Sequence, residues 1–440
     1  MNTKNIQLIL LLTTFVLHSA FVYSQKDRTE RKISNAVDKY NQEALTLLKK
    51  VTNINSGTMN FQGVEQTGKV FLEKLRALGL DARWEPGNSF NRSGHVIVSQ
   101  KGVKGPVIML IGHLDTVFEP ESPFQQHIML NDSIMQGPGV ADMKGGNVIM
   151  LLALQALHDV GVLEKMSLEI VLTGDEEKSG SPIGLSKKAL VEAAKKSDIA
   201  LGFENGDGNP ATAVVSRRGS MGWELRVTGN AAHSSQIFTD KVGTGAIYEA
   251  TRILNGFYTQ LSKEPNLTFN PGFILGGTEV SPEQEIAGGS AYGKTNVVAK
   301  EVVVRGDLRA VSLQQLEYSK KIMEDIVKAS YPGTSAKLTF NEGGYPPLAP
   351  EEGNYTLLSW YSEVSEGLGL GKVSPVHPRN AGAADISFTA GHVGMALDGI
   401  GMSGADDHTI NETANVYQLP RLAKRAATLM YRLYNGTYKP

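Results

Sequence analysis

The sequence predicts an α/β protein: a mostly parallel sheet flanked by helices, with a smaller α+β domain inserted into it. Three observations carry this expectation. From about residue 37 to residue 203, apolar strand-like runs alternate with helical patterns, the order that yields a parallel sheet covered on both faces. After Ser216-Arg217-Arg218-Gly219 the order becomes β-α-β-β-α-β, a split βαβ arrangement. Beyond Gly343-Gly344-Tyr345-Pro346-Pro347, which reads as a linker, a strand and a helix resume the first pattern. The expected division is residues 25–216 and 344–440 for the larger domain and 217–343 for the insertion.

In order, helical periodicity covers residues 37–52 and 64–80. Strands are expected at 95–99 and 107–112, the second a Val-Ile-Met-Leu-Ile run suited to burial on both faces. A long apolar helix follows at 144–160, a strand at 166–173, a lysine-bearing helix at 184–197 and a short strand at 199–203. The inserted block reads as strand 221–228, helix 242–261, strands 267–275 and 296–309, helix 313–330 and strand 336–341. A strand at 393–400 and a helix at 418–434 return to the larger domain.

A chain of 440 residues is long for one core. Its net charge of −2 gives no electrostatic reason to expect nucleic acid or an anionic membrane as partner. Lys4, an apolar run over residues 6–22 and the charged Lys26-Asp27-Arg28 read as a signal peptide over residues 1–24. That makes the protein exported, periplasmic or secreted. The apolar run is at the short end for a bilayer span, and no stable membrane partner is expected. Cysteine is absent, which removes thiolate nucleophiles and Cys-type metal sites. Any metal must be held by His, Asp and Glu.

Such residues collect at strand ends. His113-Leu114-Asp115 follows the strand at 107–112. A ligating imidazole needs its second nitrogen fixed, and an aspartate two residues away could do that. Asp142 stands in Gly137-Pro138-Gly139-Val140-Ala141-Asp142-Met143-Lys144, just before the apolar helix. Thr173-Gly174-Asp175-Glu176-Glu177 follows another strand, and its adjacent acids repel unless a cation offsets them. Glu204 follows the strand at 199–203, and Asp406-Asp407-His408 follows the strand at 393–400. Singly, each has a plainer description: a loop histidine, a helix N-cap, a solvated acidic loop. Together they converge, because ligands bind beyond the carboxyl ends of parallel strands. Imidazole and carboxylate donors suit zinc, with manganese or cobalt possible. Five donors, one of them bridging, suffice for two metals.

In these motifs, notably Gly-His-Leu-Asp-Thr-Val and Thr-Gly-Asp-Glu-Glu-Lys, the chain resembles the co-catalytic zinc peptidases. That family includes glutamate carboxypeptidase, aminoacylase and succinyl-diaminopimelate desuccinylase, and the folate-hydrolysing glutamate carboxypeptidases are the most alike. The resemblance runs through the whole mature chain. It implies a zinc-exopeptidase-like fold whose inserted domain is a lid and dimerisation domain, two zinc ions per subunit and a homodimer. It implies that His113 and Glu204 hold one zinc and Glu177 and His408 the other, that the Asp142 carboxylate bridges the two, and that the Asp142–Met143 peptide is cis. Asp115 would orient His113. Glu176 would be the general base, taking a proton from the attacking water and passing it to the leaving nitrogen. His233, in Gly229-Asn230-Ala231-Ala232-His233, would reach a partner subunit's site as an oxyanion donor. Asn296 and Arg309 would hold the substrate's free carboxylate, Arg through its two-pronged guanidinium. Asp406-Asp407 departs from the family in its acidity and bears on the charge of the leaving group.

The expected activity is cleavage of the amide bond next to a C-terminal amino acid bearing a free carboxylate, in a small peptide or N-acyl amino acid. An N-acyl-amino-acid amidohydrolase would use the same metals and base with a different acyl pocket. A non-catalytic peptide-binding protein on this scaffold would be marked by loss of the base, which Glu176 supplies here. His95, His127, His158, His377 and His392 read as structural or exposed, and Arg217-Arg218 as a solvated hinge pair.

Overall fold

The computed structural model describes residues 3–283, 287–341 and 343–440, without the side chains of residues 3–27. The leader expected at residues 1–24 lies outside the residues whose side chains are described. Two compact units form: Met1–Val214 with Glu352–Pro375 and Gly391–Pro440, and Val215–Glu351 with Val376–Ala390.

The larger unit holds a six-stranded sheet. Val107–His113 sits in its middle, parallel to Ser167–Thr173 on one side and to Ile199–Gly202 on the other. Met395–Leu397 adds a further parallel strand beside Ile199–Gly202. Gly94–Gln100 and Ala82–Pro86 extend the other side antiparallel. The central strands are buried along almost their whole length, which explains why they read as continuous apolar runs without alternation. Helix Lys144–Asp159 is apolar nearly all round because it packs against helices Thr3–Thr52 and Leu419–Asn435 and against Val107–His113. Arg432 on the last helix pairs with both carboxylate oxygens of Glu30 at 2.8 and 3.0 Å, tying it to the first. Among the described residues no helix is long and apolar enough to cross a membrane.

The smaller unit is a four-stranded antiparallel sheet in the spatial order Thr268–Gly277, Glu301–Arg309, Met221–Gly229, Thr334–Phe340. Helices Gly245–Leu261 and Leu313–Lys328 bury Phe257, Ile253 and Met323 against Trp223, Leu225 and Val304 of the sheet. This is the split βαβ order.

Several elements differ from expectation. The helix expected over 184–197 is two, Ile183–Ser186 and Lys188–Ala194. It breaks where Lys187 turns inward to bond Asp175. The strand expected from residue 296 starts at Glu301, because the preceding turn closes Val297 N on Lys294 O. The strand expected over 393–400 is only Met395–Leu397. Helix Glu352–Gly367 and the hairpin Glu279–Pro282 with Gly289–Tyr292 were not anticipated. Val376–Ala390, assigned from sequence to the larger domain, belongs to the smaller unit, held where Arg218 donates to Ala381 O and Arg379 O.

Candidate metal centre

Three parallel strands of the larger unit deliver the acidic and imidazole groups directly. His113 ends its strand, Glu176 and Glu177 come just after Ser167–Thr173, and Glu204 comes two residues after Ile199–Gly202. Asp142 arrives on the Gly137–Val140 turn, where Gly139 takes a φ of 75° that a side chain would disfavour. At Gly146 a β-carbon would run into the Phe203 carbonyl, so glycine lets the helix start close against the strand end that leads to Glu204. The Asp142–Met143 peptide is cis.

Asp142 has one oxygen for each imidazole. Its Oδ1 is 3.1 Å from His113 Nε2 and its Oδ2 is 3.1 Å from His408 Nε2. Glu204 Oε1 stands 3.4 Å from His113 Nε2, and Glu177 Oε2 stands 3.2 Å from His408 Nε2. A tetrahedral zinc with ordinary Zn–N and Zn–O bonds has ligand-to-ligand edges of about 3.3 Å, close to each of these four distances. His113, Asp142 and Glu204 form one metal-sized cluster, and Asp142, His408 and Asp407 form another. Asp407 thus stands within reach of the second position, between two residues of positive φ, Asp406 and His408.

The protonation pattern fits the same reading. Burial alone would drive His113 neutral, but Glu204, Asp115 and Asp142 hold its pKa well above the ordinary histidine value. Hydrogen bonds to Asp142 and Glu177 raise His408 to about 11. Burial opposes ionisation of Asp142, yet the two imidazoles keep it well below the usual carboxylate range. Burial and the Asp142 charge push Glu177 up to about 7. Cations at these positions would offset the carboxylate charge that raises both imidazole pKa values.

The surroundings fix these groups. His113 Nδ1 lies 3.0 Å from the Asp115 main-chain carbonyl and 3.4 Å from its carboxylate. Donation there leaves Nε2 as the free donor atom toward a metal. The Asp115 carboxylate itself accepts from Thr58 Oγ1 at 2.6 Å and from the main-chain N–H groups of Glu176 and Glu177 at 3.1 and 3.2 Å. It therefore ties the His113 strand end to the loop that carries the acids. Buried Asp175 secures that loop from behind, accepting from Gly180 N, Ser186 Oγ and Lys187 Nζ. His95 accepts from Gly174 N and bonds Ser186 O, a structural role as expected. Sequence reasoning missed Thr58, Lys187 and Glu412. Only Glu412 left a signal, an acid four residues past His408.

In the smaller unit His233 caps a short turn. Its Nδ1 accepts from Ser235 N, so Nε2 is the nitrogen left to donate outward. Ser234 N donates to Asn296 O at 2.9 Å, which sets Asn296 beside His233. Both precede strand Glu301–Arg309, and Arg309 stands at its far end, about 27 Å away along an extended strand. Around Arg309 guanidinium groups gather. Arg217 and Arg218 are not a solvated pair but only 6% and 8% exposed, each bonding carbonyls of the Val376–Ala390 segment. Arg218 also donates to Thr268 Oγ1, and Thr268 is the cross-strand partner of Arg309. Burial lowers the Arg218 pKa, and the charges of Arg309 and Arg379 lower it further. Asp307, 2.8 Å from Arg309 Nε, is the acid that partly offsets them.

Comparison with known proteins agrees with this geometry. The family model described as peptidase family M20/M25/M40 matches residues 109–432. Carboxypeptidase G2 of Pseudomonas sp. (strain RS-16) is 23% identical over 432 residues, covering 97% of each chain. Succinyl-diaminopimelate desuccinylase of Alkalilimnicola ehrlichii is 25% identical over 377 residues, covering 83% of this chain and 93% of its own. Among solved structures, the YXEP protein of Bacillus subtilis, a dinuclear metal binding peptidase, superposes with a TM-score of 0.62. It is 16% identical and covers 90% of this chain and 99% of its own.

Proposed function

The chain belongs to peptidase family M20/M25/M40, and from that membership we propose that it is an exported two-zinc carboxypeptidase resembling glutamate carboxypeptidase. It would release a C-terminal amino acid with a free carboxylate from a small peptide or conjugate. The observation that carries the reading is Asp142, with an imidazole 3.1 Å from each of its two oxygens. His113 and Glu204 would hold one zinc, Glu177 and His408 the other, and Asp142 both. Two such ions, when bound, acidify water and polarise the scissile carbonyl.

The protein's own groups do the rest. Glu176, its N–H fixed by Asp115, accepts the proton of the attacking water and hands it to the leaving nitrogen. Asp115 keeps His113 in the tautomer that points Nε2 at the metal. Arg309 and Asn296 engage the substrate carboxylate, and the neighbouring Arg218 and Arg379 raise the positive potential around Arg309. His233 donates from Nε2 to the developing oxyanion. Asn296 and His233 stand a full strand length from Arg309 in one smaller unit. One short substrate can meet both ends only if they come from two copies, which supports a homodimer in which His233 acts across subunits. Exposed Ile247, Tyr248 and Tyr258 of helix Gly245–Leu261, with Ile274 of the edge strand, offer an apolar face for the second copy.

The likeness to a desuccinylase supports a second reading, an N-acyl-amino-acid amidohydrolase with the same centre. Amino-acid release separates the two. The zinc-loaded enzyme would be offered blocked dipeptides, folate-type conjugates and N-acetyl amino acids, each with and without chelator. Chelator-sensitive release from peptides or conjugates is expected. Release from N-acetyl compounds alone would replace the carboxypeptidase reading with the second.

A further inference from the structure

The loop that brings Asp142 into the centre is held by one buried side chain from a distant segment. Glu412 is 1% exposed. Its Oε2 accepts from Gly139 N at 2.9 Å, and its Oε1 accepts from Ala141 N at 2.8 Å and Asp142 N at 3.0 Å. Its main-chain carbonyl accepts from Gly137 N at 3.1 Å. The turn cannot satisfy these N–H groups itself, because Gly139 takes a left-handed conformation and the helix begins only at Lys144. A buried amide without an acceptor is costly, and a carboxylate supplies two charged oxygens for three donors.

Glu412 also lies four residues past His408, on the connection between the short strands Gly404–Ala405 and Thr413–Asn415. Thr413 pairs with Gln136, immediately before the Asp142 turn. One side chain therefore joins the loop carrying Asp142 to the loop carrying His408. Those two residues face each other at 3.1 Å. The first position has supports of its own: His113 is fixed through Asp115, and Glu204 N reaches Asp398 Oδ1 at 3.4 Å.

We propose that Glu412 is a positioning residue for the second metal position, setting the Asp142 carboxylate against His408, so that its loss weakens the metal held there more than the metal held by His113 and Glu204. The proposal rests on the two-metal reading above. Gln at this position keeps the size but offers a single acceptor oxygen and turns an N–H₂ group toward an N–H.

The test is metal binding, read by competition with a chromophoric chelator for Zn²⁺ and for Co²⁺ on metal-free wild type, Glu412→Gln, His408→Ala and the double variant. Thermal unfolding of each metal-free protein accompanies it. Wild type is expected to bind two ions per subunit. In Glu412→Gln the second ion should bind at least tenfold more weakly than in wild type, with the first changed less than threefold. In the His408→Ala background, adding Glu412→Gln should leave the remaining ion's affinity unchanged. Two ions bound by Glu412→Gln with wild-type affinity would overturn the proposal. So would equal weakening of both ions, or a metal-free chain that no longer folds, since either would make Glu412 a general structural support. A wild type that binds no metal would instead bring down the two-metal reading itself.

Discussion

Asp142 is the residue at which the two halves of the centre meet, and its surroundings carry a prediction about protons. Both imidazoles that face it have pKa values raised above the ordinary 6.5, His408 to about 11. Metal binding needs them neutral. Zinc uptake near pH 7.5 should therefore release about two protons. Affinity should climb with pH across the neutral range and level off only as pH passes the His408 value. Calorimetry in buffers of differing ionisation heat measures this, and binding without proton release would contradict it. At this scale the gathering of His113, Asp142, Glu204 and His408 was legible because strand ends and the start of an apolar helix converge on one edge of a parallel sheet. Glu412, Thr58 and Arg218 were not. Each acts through a partner far away in sequence, main-chain and hydroxyl groups for Glu412 and Arg218 and the Asp115 carboxylate for Thr58, and a lone acid, threonine or arginine has no period to betray it.

Among elements, the buried strands and the helix Lys144–Asp159 were legible from apolar runs of the right length. The edge strand Ala82–Pro86 has a mixed burial pattern and was not. The expected helix over 184–197 failed for one reason: Lys187 turns inward instead of keeping to a solvent face. Its ammonium meets Asp175 Oδ1 at 3.0 Å with both side chains essentially unexposed. Removing one member of a buried pair leaves the other uncompensated, which costs about 3–5 kcal/mol. Lys187→Met should lower unfolding stability by about that amount and loosen the loop bearing Glu176 and Glu177. Denaturant titration checks it, and a loss below about 1 kcal/mol would show that the bonds from Gly180 N and Ser186 Oγ compensate Asp175 on their own.

For the whole molecule, the two-unit organisation was legible in the change from alternating strands and helices to β-α-β-β-α-β. The membership of Val376–Ala390 in the smaller unit was not, because it depends on two buried arginines that bond its carbonyls. The proposed dimer makes a prediction at this scale. Glu176→Gln and His233→Ala should each be nearly inactive alone. Mixed and allowed to exchange subunits, they should regain about a quarter of wild-type activity, because half the dimers are hybrids with one complete site in two. No recovery after demonstrated exchange would place His233 in its own subunit's site or outside catalysis. The central claim, a two-metal hydrolase with Glu176 as base, is tested most directly by counting metal and turnover in Glu176→Gln. Two ions per subunit should remain while turnover falls about 10³-fold or more. Retained turnover, or metal lost along with activity, would contradict it.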